Sequence, residues 1–119
     1  MLQDTVSHEH IRATTVKGTD VYNGAGEHLG SIDDIVLGKR DGKAEYAIMS
    51  FGGFLGMGEQ YHPLPWESLT YDPERGGYVV NLTRQQLEGG PTYEMANEPD
   101  WNDPDFGRRV RGYYGLPII

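Results

Sequence analysis

Six short runs of β-favouring residues lie between Thr19 and Leu82, each closed by Gly, Pro, Asp or Asn, and this alternation limits the possible folds more than any other feature. Thr19-Asp20-Val21-Tyr22 leads into Asn23-Gly24-Ala25-Gly26, residues that tolerate the positive φ of a tight reversal. Leu29 to Leu37 reads as a longer strand, with Ile32 and Val36 on one face and Ile35 and Leu37 on the other. Gly30 inside it predicts a bend or bulge. Lys39-Arg40-Asp41-Gly42-Lys43 is a hairpin signal, because Asp-Gly adopts a turn whose twist matches that of its flanking strands. The returning strand, Ala44 to Phe51, is apolar on both faces and is expected to be central and largely buried. Gln60 to Trp66 is extended, but Pro63 and Pro65 cannot donate to a ladder, which places it at an edge or an irregular corner.

Ser68 to Asp72 and Tyr78 to Leu82 pair across the turn Pro73-Glu74-Arg75-Gly76-Gly77. Thr83 then caps a helical turn, with Gln86 three residues on and Gly89-Gly90-Pro91 ending it. The expected fold is all-β: a small closed or partly open β-barrel of about six short strands, with a short helical turn and an irregular C-terminal tail. Closure removes the unpaired edges that so small an open sheet would leave. A length of 119 residues is one domain's worth. Residues 1–15 are expected to be a flexible segment, 16–93 the barrel, and 94–119 an aromatic and acidic tail packing on the barrel or on a partner subunit. That tail holds Trp101, Phe106, Tyr113, Tyr114, Ile118 and Ile119, and a buried side chain of this kind gains about 1.5–3 kcal/mol over an exposed one. The barrel, a second copy or another protein should therefore cover it.

Phe51 to Gly58 packs four glycines around Phe54, Leu55 and Met57. The spacing of Gly53 and Gly58 invites a phosphate-loop reading, but Glu59 and Gln60 stand where Lys and Ser or Thr would hold the anion and its magnesium. The dinucleotide fingerprint fails as well, since Tyr61 occupies the third glycine position and no helical pattern follows. The loop is either a lid on the barrel or a contact surface.

A net charge of −8 repels nucleic-acid backbones and anionic membranes, so no nucleic-acid partner is expected. Arg108-Arg109-x-Arg111 follows a run of carboxylates, and mutual neutralisation within the tail is the expected role. Cysteine is absent, which excludes disulfides, thiolate catalysis and cysteine-ligated zinc. No stretch reaches the roughly 20 apolar residues of a membrane span, and Met1 to His8 does not resemble a secretory signal. The expected location is cytoplasmic.

Three segments carry a family resemblance: Val21 to Asp34, with Asn23-Gly24-Ala25-Gly26-Glu27 at its centre; the Gly52 to Gly58 loop leading to Pro65-Trp66; and Leu82-Thr83-x-x-Gln86-Leu87 ending in Pro91-x-Tyr93. Over about residues 16–93 the chain resembles the PRC-barrel family, named for the cytoplasmic domain of the photosynthetic reaction-centre H subunit. The resemblance implies a compact β-barrel serving as an assembly or docking module, closest to the stand-alone bacterial members, and it supplies no catalytic residues. The membrane helix of the reaction-centre subunit and the extra N-terminal domain of the family's ribosome-maturation factor have no counterpart in this sequence.

The remaining chemistry is sparse. His8-x-His10 is the one close histidine pair, and His28 and His62 stand apart from it, so no metal site is expected. Strand alternation puts Asp33 and Asp34 on opposite faces, which prevents a shared proton. No nucleophile elbow surrounds Ser31, Ser50 or Ser68. The expected protein is a non-enzymatic interaction module that self-associates, a dimer being favoured, with no catalytic residues, no cofactor and an unidentified protein as a further possible partner. Its candidate contact surface is Phe54, Leu55, Met57, Tyr61, Trp66, Trp101, Phe106, Tyr113 and Tyr114. The alternative is a small-ligand or metal-binding protein, or a minor enzyme, using a cleft between barrel and tail. Docking to RNA ranks behind both.

Overall fold

The computed structural model describes residues 10–51 and 60–116. Its strands are β1 (Asp20–Asn23), β2 (His28–Leu37), β3 (Ala44–Phe51), β4 (Gln60–Pro65), β5 (Leu69–Asp72) and β6 (Gly77–Val80). With them come helices α1 (Ala13–Val16), α2 (Arg84–Glu88) and α3 (Pro104–Tyr113), and two 3-10 turns at Trp66–Ser68 and Met95–Asn97. The strands form one sheet in the order β4-β3-β2-β1-β6-β5. Neighbours are antiparallel except β1 and β6, whose parallel contact joins the β5–β6 hairpin to the first three strands. The end strands β4 and β5 are linked through the Trp66–Ser68 turn rather than by a ladder, so the barrel is partly open.

The turns follow from local chemistry. Gly42 has φ 72° in the β2–β3 hairpin, a conformation that favours glycine, and the Asp41 carboxylate accepts the Lys43 N–H at 2.9 Å. Thr83 caps α2 in a full capping box, its hydroxyl accepting the Gln86 N–H while the Gln86 side chain accepts the Thr83 N–H.

β2 carries two bulges. Val21 pairs with Gly30 and Tyr22 with His28, leaving Leu29 extra; Ile32 pairs with Met49 and Asp34 with Ile48, leaving Asp33 extra. Glycine at 30 is a steric necessity, since a Cβ there would stand 2.2 Å from the Ser50 carbonyl oxygen. The second bulge resets the alternation. Ile32 and Ile35 therefore both pack on the inner core and Val36 on the outer face, which corrects the expected pairing of Ile32 with Val36. For the same reason Asp33 and Asp34 are both exposed instead of facing opposite ways.

The inner core gathers Val21, Leu29, Ile32, Met49, Leu64 and Val80, with Val16 of α1 and Leu87 of α2 added from the helices. Helix α1 spans the expected boundary at residue 15 and buries Val16 against the inner core. The largest departure is the tail. Pro104–Tyr113 is a helix where an irregular segment was expected. The Asp103 side chain accepts the Asp105 N–H as N-cap, Pro104 fits the first turn, and Phe106 and Val110, four residues apart, share the buried face. Gly107, Gly112 and the arginines between the apolar positions obscure that spacing in the sequence.

Candidate interaction surface

Strand β4 lies at the sheet edge, as its prolines require. The Tyr61 N–H donates to the Tyr93 carbonyl at 2.9 Å and the Tyr93 N–H returns to Tyr61 at 3.0 Å, an isolated antiparallel bridge on the side away from β3. Alternate residues of a strand direct their nitrogens the same way, so Pro63 and Pro65 turn their donor-free nitrogens to this outer side as well. The bridge brings the segment after α2 against the edge and starts a train of aromatic contacts. Ring centroids lie 5.5 Å apart for Tyr61–Tyr93, 5.6 Å for Tyr93–Trp101, 5.4 Å for Tyr46–Trp101 and 5.6 Å for Trp101–Phe106. Perpendicular and tilted rings at these separations add to the energy of burial.

Beneath the train is a second core on the outer face of the sheet: Tyr46, Ile48 and Tyr61 from the strands, Phe106 and Val110 from α3. Tyr61 and Phe106 of the sequence-derived contact surface are buried here, while Trp101 and Tyr114 are half-buried against the same cluster. Trp66 is half-buried on the inner core, edge-on to Tyr78 at 5.7 Å. Tyr113 stays exposed, its hydroxyl donating to the Gln86 carbonyl at 2.7 Å. Phe54, Leu55 and Met57 lie outside the described residues. Burial pushes the phenols of Tyr46 and Tyr114 up. Tyr46 and Tyr93 belong to this assembly although the sequence alone does not select them, because the Tyr61–Tyr93 bridge is a tertiary contact with no local signal.

The arginine trio divides its work. Arg108 pairs with Asp105 within α3, and the Arg109 guanidinium lies 5.2 Å from the centroid of the Phe106 ring. Arg111 reaches beyond the tail to Glu67, donating to both carboxylate oxygens at 2.5 and 2.9 Å. Neutralisation within the tail therefore describes Arg108 but not Arg111.

At the other end of the barrel the Asn23–Glu27 segment is a hydrogen-bonded unit. The Asn23 side-chain oxygen accepts the Ala25 and Glu27 N–H groups at 3.1 and 2.9 Å, and its amide donates to Glu27 at 2.9 Å. Arg84 of α2 closes the unit, donating to the Glu27 carboxylate at 2.6 Å and to the His28 carbonyl at 2.9 Å. The hydrogen bond from Arg84 holds the Glu27 carboxyl below the ordinary range. These contacts account for the Asn-Gly-x-Gly-Glu pattern as the clamp between β1, β2 and α2.

The histidines are dispersed. His28 lies 2.9 Å from Asp20, His10 is exposed, His62 is buried in β4, and His8 lies outside the described residues. Burial brings the His62 imidazole down to about 4. Among the described residues, no three His, Asp or Glu side chains converge as metal ligands would. Asp34 accepts the Ile35 N–H at 2.8 Å, a local contact at the bulge.

Strand order, bulged β2 and capped α2 define a small, partly open β-barrel domain. Residues 8–87 match the family model of the PRC-barrel domain, and the chain belongs to that family. No curated protein matches it. One similar solved structure is described as a 16S ribosomal RNA processing protein, RimM, from Pseudomonas aeruginosa, at 15% identity and a TM-score of 0.42, with 70% of this chain and 50% of that one covered. This chain thus spans about half the length of that protein. The family match ends in α2, so Tyr93, Trp101 and α3 lie outside it, while their partners Tyr46 and Tyr61 lie within it. No helix among the described residues is long and apolar enough to cross a membrane.

Proposed function

We propose that the protein is a non-enzymatic interaction module that self-associates through its barrel, a dimer being the favoured form. The observation that carries this reading is the β5 edge. Strand β5 ends the sheet, and among the described residues no strand pairs with its outer side. Tyr71, at the middle of that edge, is 47% exposed although its ring touches Tyr78 at 5.3 Å. An unpaired edge with an exposed aromatic is a template for strand addition by a second chain. Membership of the PRC-barrel family supports a docking role. The aromatic residues of α3 contribute indirectly, since they cover the outer face in cis and leave the edge as the place to meet another copy.

Light scattering at tens of micromolar tests the reading. A size above that of the 13.3 kDa monomer is expected, reduced by Tyr71→Lys with strand content unchanged by circular dichroism. A strict monomer for the unaltered chain sinks the self-association claim. An oligomer indifferent to Tyr71→Lys moves the contact away from β5.

A further inference from the structure

The outer rim between Tyr93 and Trp101 combines exposed apolar area with charge of one sign. Met95, in the 3-10 turn between those two rings, is 70% exposed, the highest value among the large exposed apolar side chains of the described residues. The two half-buried rings stand nearly perpendicular, at 79°. From Gly89 to Gly107 the sequence has five carboxylates and neither Lys nor Arg. Glu94 and Glu98 flank the turn and are exposed. Asp34 pairs in register with Ile48, a residue of the outer core, which places it on the same face of the sheet as the aromatic train.

We propose that this rim, with Met95, Tyr93 and Trp101 at its centre and Glu94, Glu98 and Asp34 around it, docks a basic, partly apolar peptide segment of another protein. Charge complementarity selects that occupant. An arginine or lysine entering the rim meets aromatic faces and carboxylates together, both of which attract a cation. The protein's own Arg109 already makes such a contact with Phe106, one ring further along the train. The nearest other cation on that helix, Arg108, is engaged by Asp105. The Tyr93 phenol reports the same field, being pushed up to about 12 by burial first and then by Glu98, Asp34 and Asp33. A second copy of this acidic chain fits the rim poorly, because its net charge is also −8. The rim is a different surface from the β5 edge and rests on the docking reading alone.

The test is fluorescence anisotropy with the full chain and a labelled decapeptide of alternating Arg and Leu, against an alternating Glu and Leu peptide. The Arg peptide should bind and the Glu peptide should not. Met95→Ala and the pair Glu94→Gln with Glu98→Gln should each weaken binding about tenfold. The equal charge change at Glu74→Gln with Glu88→Gln should alter it less than about twofold. Equal losses in both charge pairs would mean diffuse attraction and overturn the proposal, as would an unaffected Met95→Ala or no binding below roughly 100 µM. If the rim variants instead abolish self-association in light scattering, the rim belongs to a second copy and the proposal fails while the function reading stands. If Tyr71→Lys dissociates the protein and leaves peptide binding intact, the two surfaces are separate, as expected.

Discussion

Arg111 near the end of α3 and Glu67 in the turn between β4 and β5 form a two-point contact, 44 residues apart in sequence, with N···O distances of 2.5 and 2.9 Å. It fastens the helix outside the family match to the barrel at the point where the two end strands connect. The hydrogen bond from Arg111 holds the Glu67 carboxyl below its ordinary range. Planar two-point pairing makes this bridge more specific than a simple surface ion pair.

Arg111→Met should therefore loosen α3 while leaving the barrel folded. The expected loss is roughly 1 kcal/mol, because the carboxylate side of the pair is exposed to solvent. Hydrogen exchange checks it: amides of Phe106 to Tyr114 should exchange faster and those of β3 should not. Uniform acceleration across the chain would mean that helix and barrel unfold as one unit.

Gly90 is where the end of α3 meets the end of α2. A Cβ there would stand 2.6 Å from the Tyr114 hydroxyl and 3.0 Å from the Tyr113 ring. Gly90→Ala should force both tyrosines outward at a cost of about 1–3 kcal/mol. Denaturant titration measures the loss. Restoration by Gly90→Ala combined with Tyr114→Phe would identify the hydroxyl as the clashing atom.

His62 predicts a pH dependence. Its imidazole is neutral in the folded state down to about 4, against an ordinary value of 6.5, because burial disfavours the charged form. Below pH 6.5 the unfolded chain binds a proton that the native chain refuses. The stability is present above pH 6.5 and is lost as pH falls towards 4, by at most about 3 kcal/mol. Urea midpoints at pH 7 and pH 4.5 should differ for the unaltered chain and converge for His62→Phe; an equal difference in both would assign the effect elsewhere.

Thr83→Ala should cost about 1 kcal/mol, since it leaves the Gln86 N–H of α2 without its cap. Loss of the cap weakens the helix that carries Leu87 into the inner core. Thermal unfolding provides the measurement, and Thr83→Ser should recover most of the loss.

The strands were legible because each is bounded by residues with a local reason to turn. Asp41-Gly42 marks its hairpin, Thr83 with Gln86 marks the start of α2, and Pro63 with Pro65 assigns β4 to an edge, all without reference to distant parts of the chain. The bulge at Asp33 was not legible, since a strand's period reveals an inserted residue only when its partner is known. Helix α3 carried a readable start in Asp103-Pro104-Asp105. Its apolar face was hidden because glycines and arginines interrupt it, and Phe106 and Val110 gain their energy only against Tyr46, Ile48 and Tyr61.

Local chemistry in the sequence determined the six strands, their turns, the capped helix and the family, because backbone preference and side-chain alternation act over a few residues. Only the tertiary structure decided that β1 lies parallel to β6, that Tyr93 returns to the edge of β4, and that most of the tail aromatics are spent on the protein's own outer face. Those outcomes depend on which surfaces, far apart in the chain, bury the most apolar area against each other. The same competition leaves Met95 and Tyr71 exposed, and these two side chains now mark the surfaces to test.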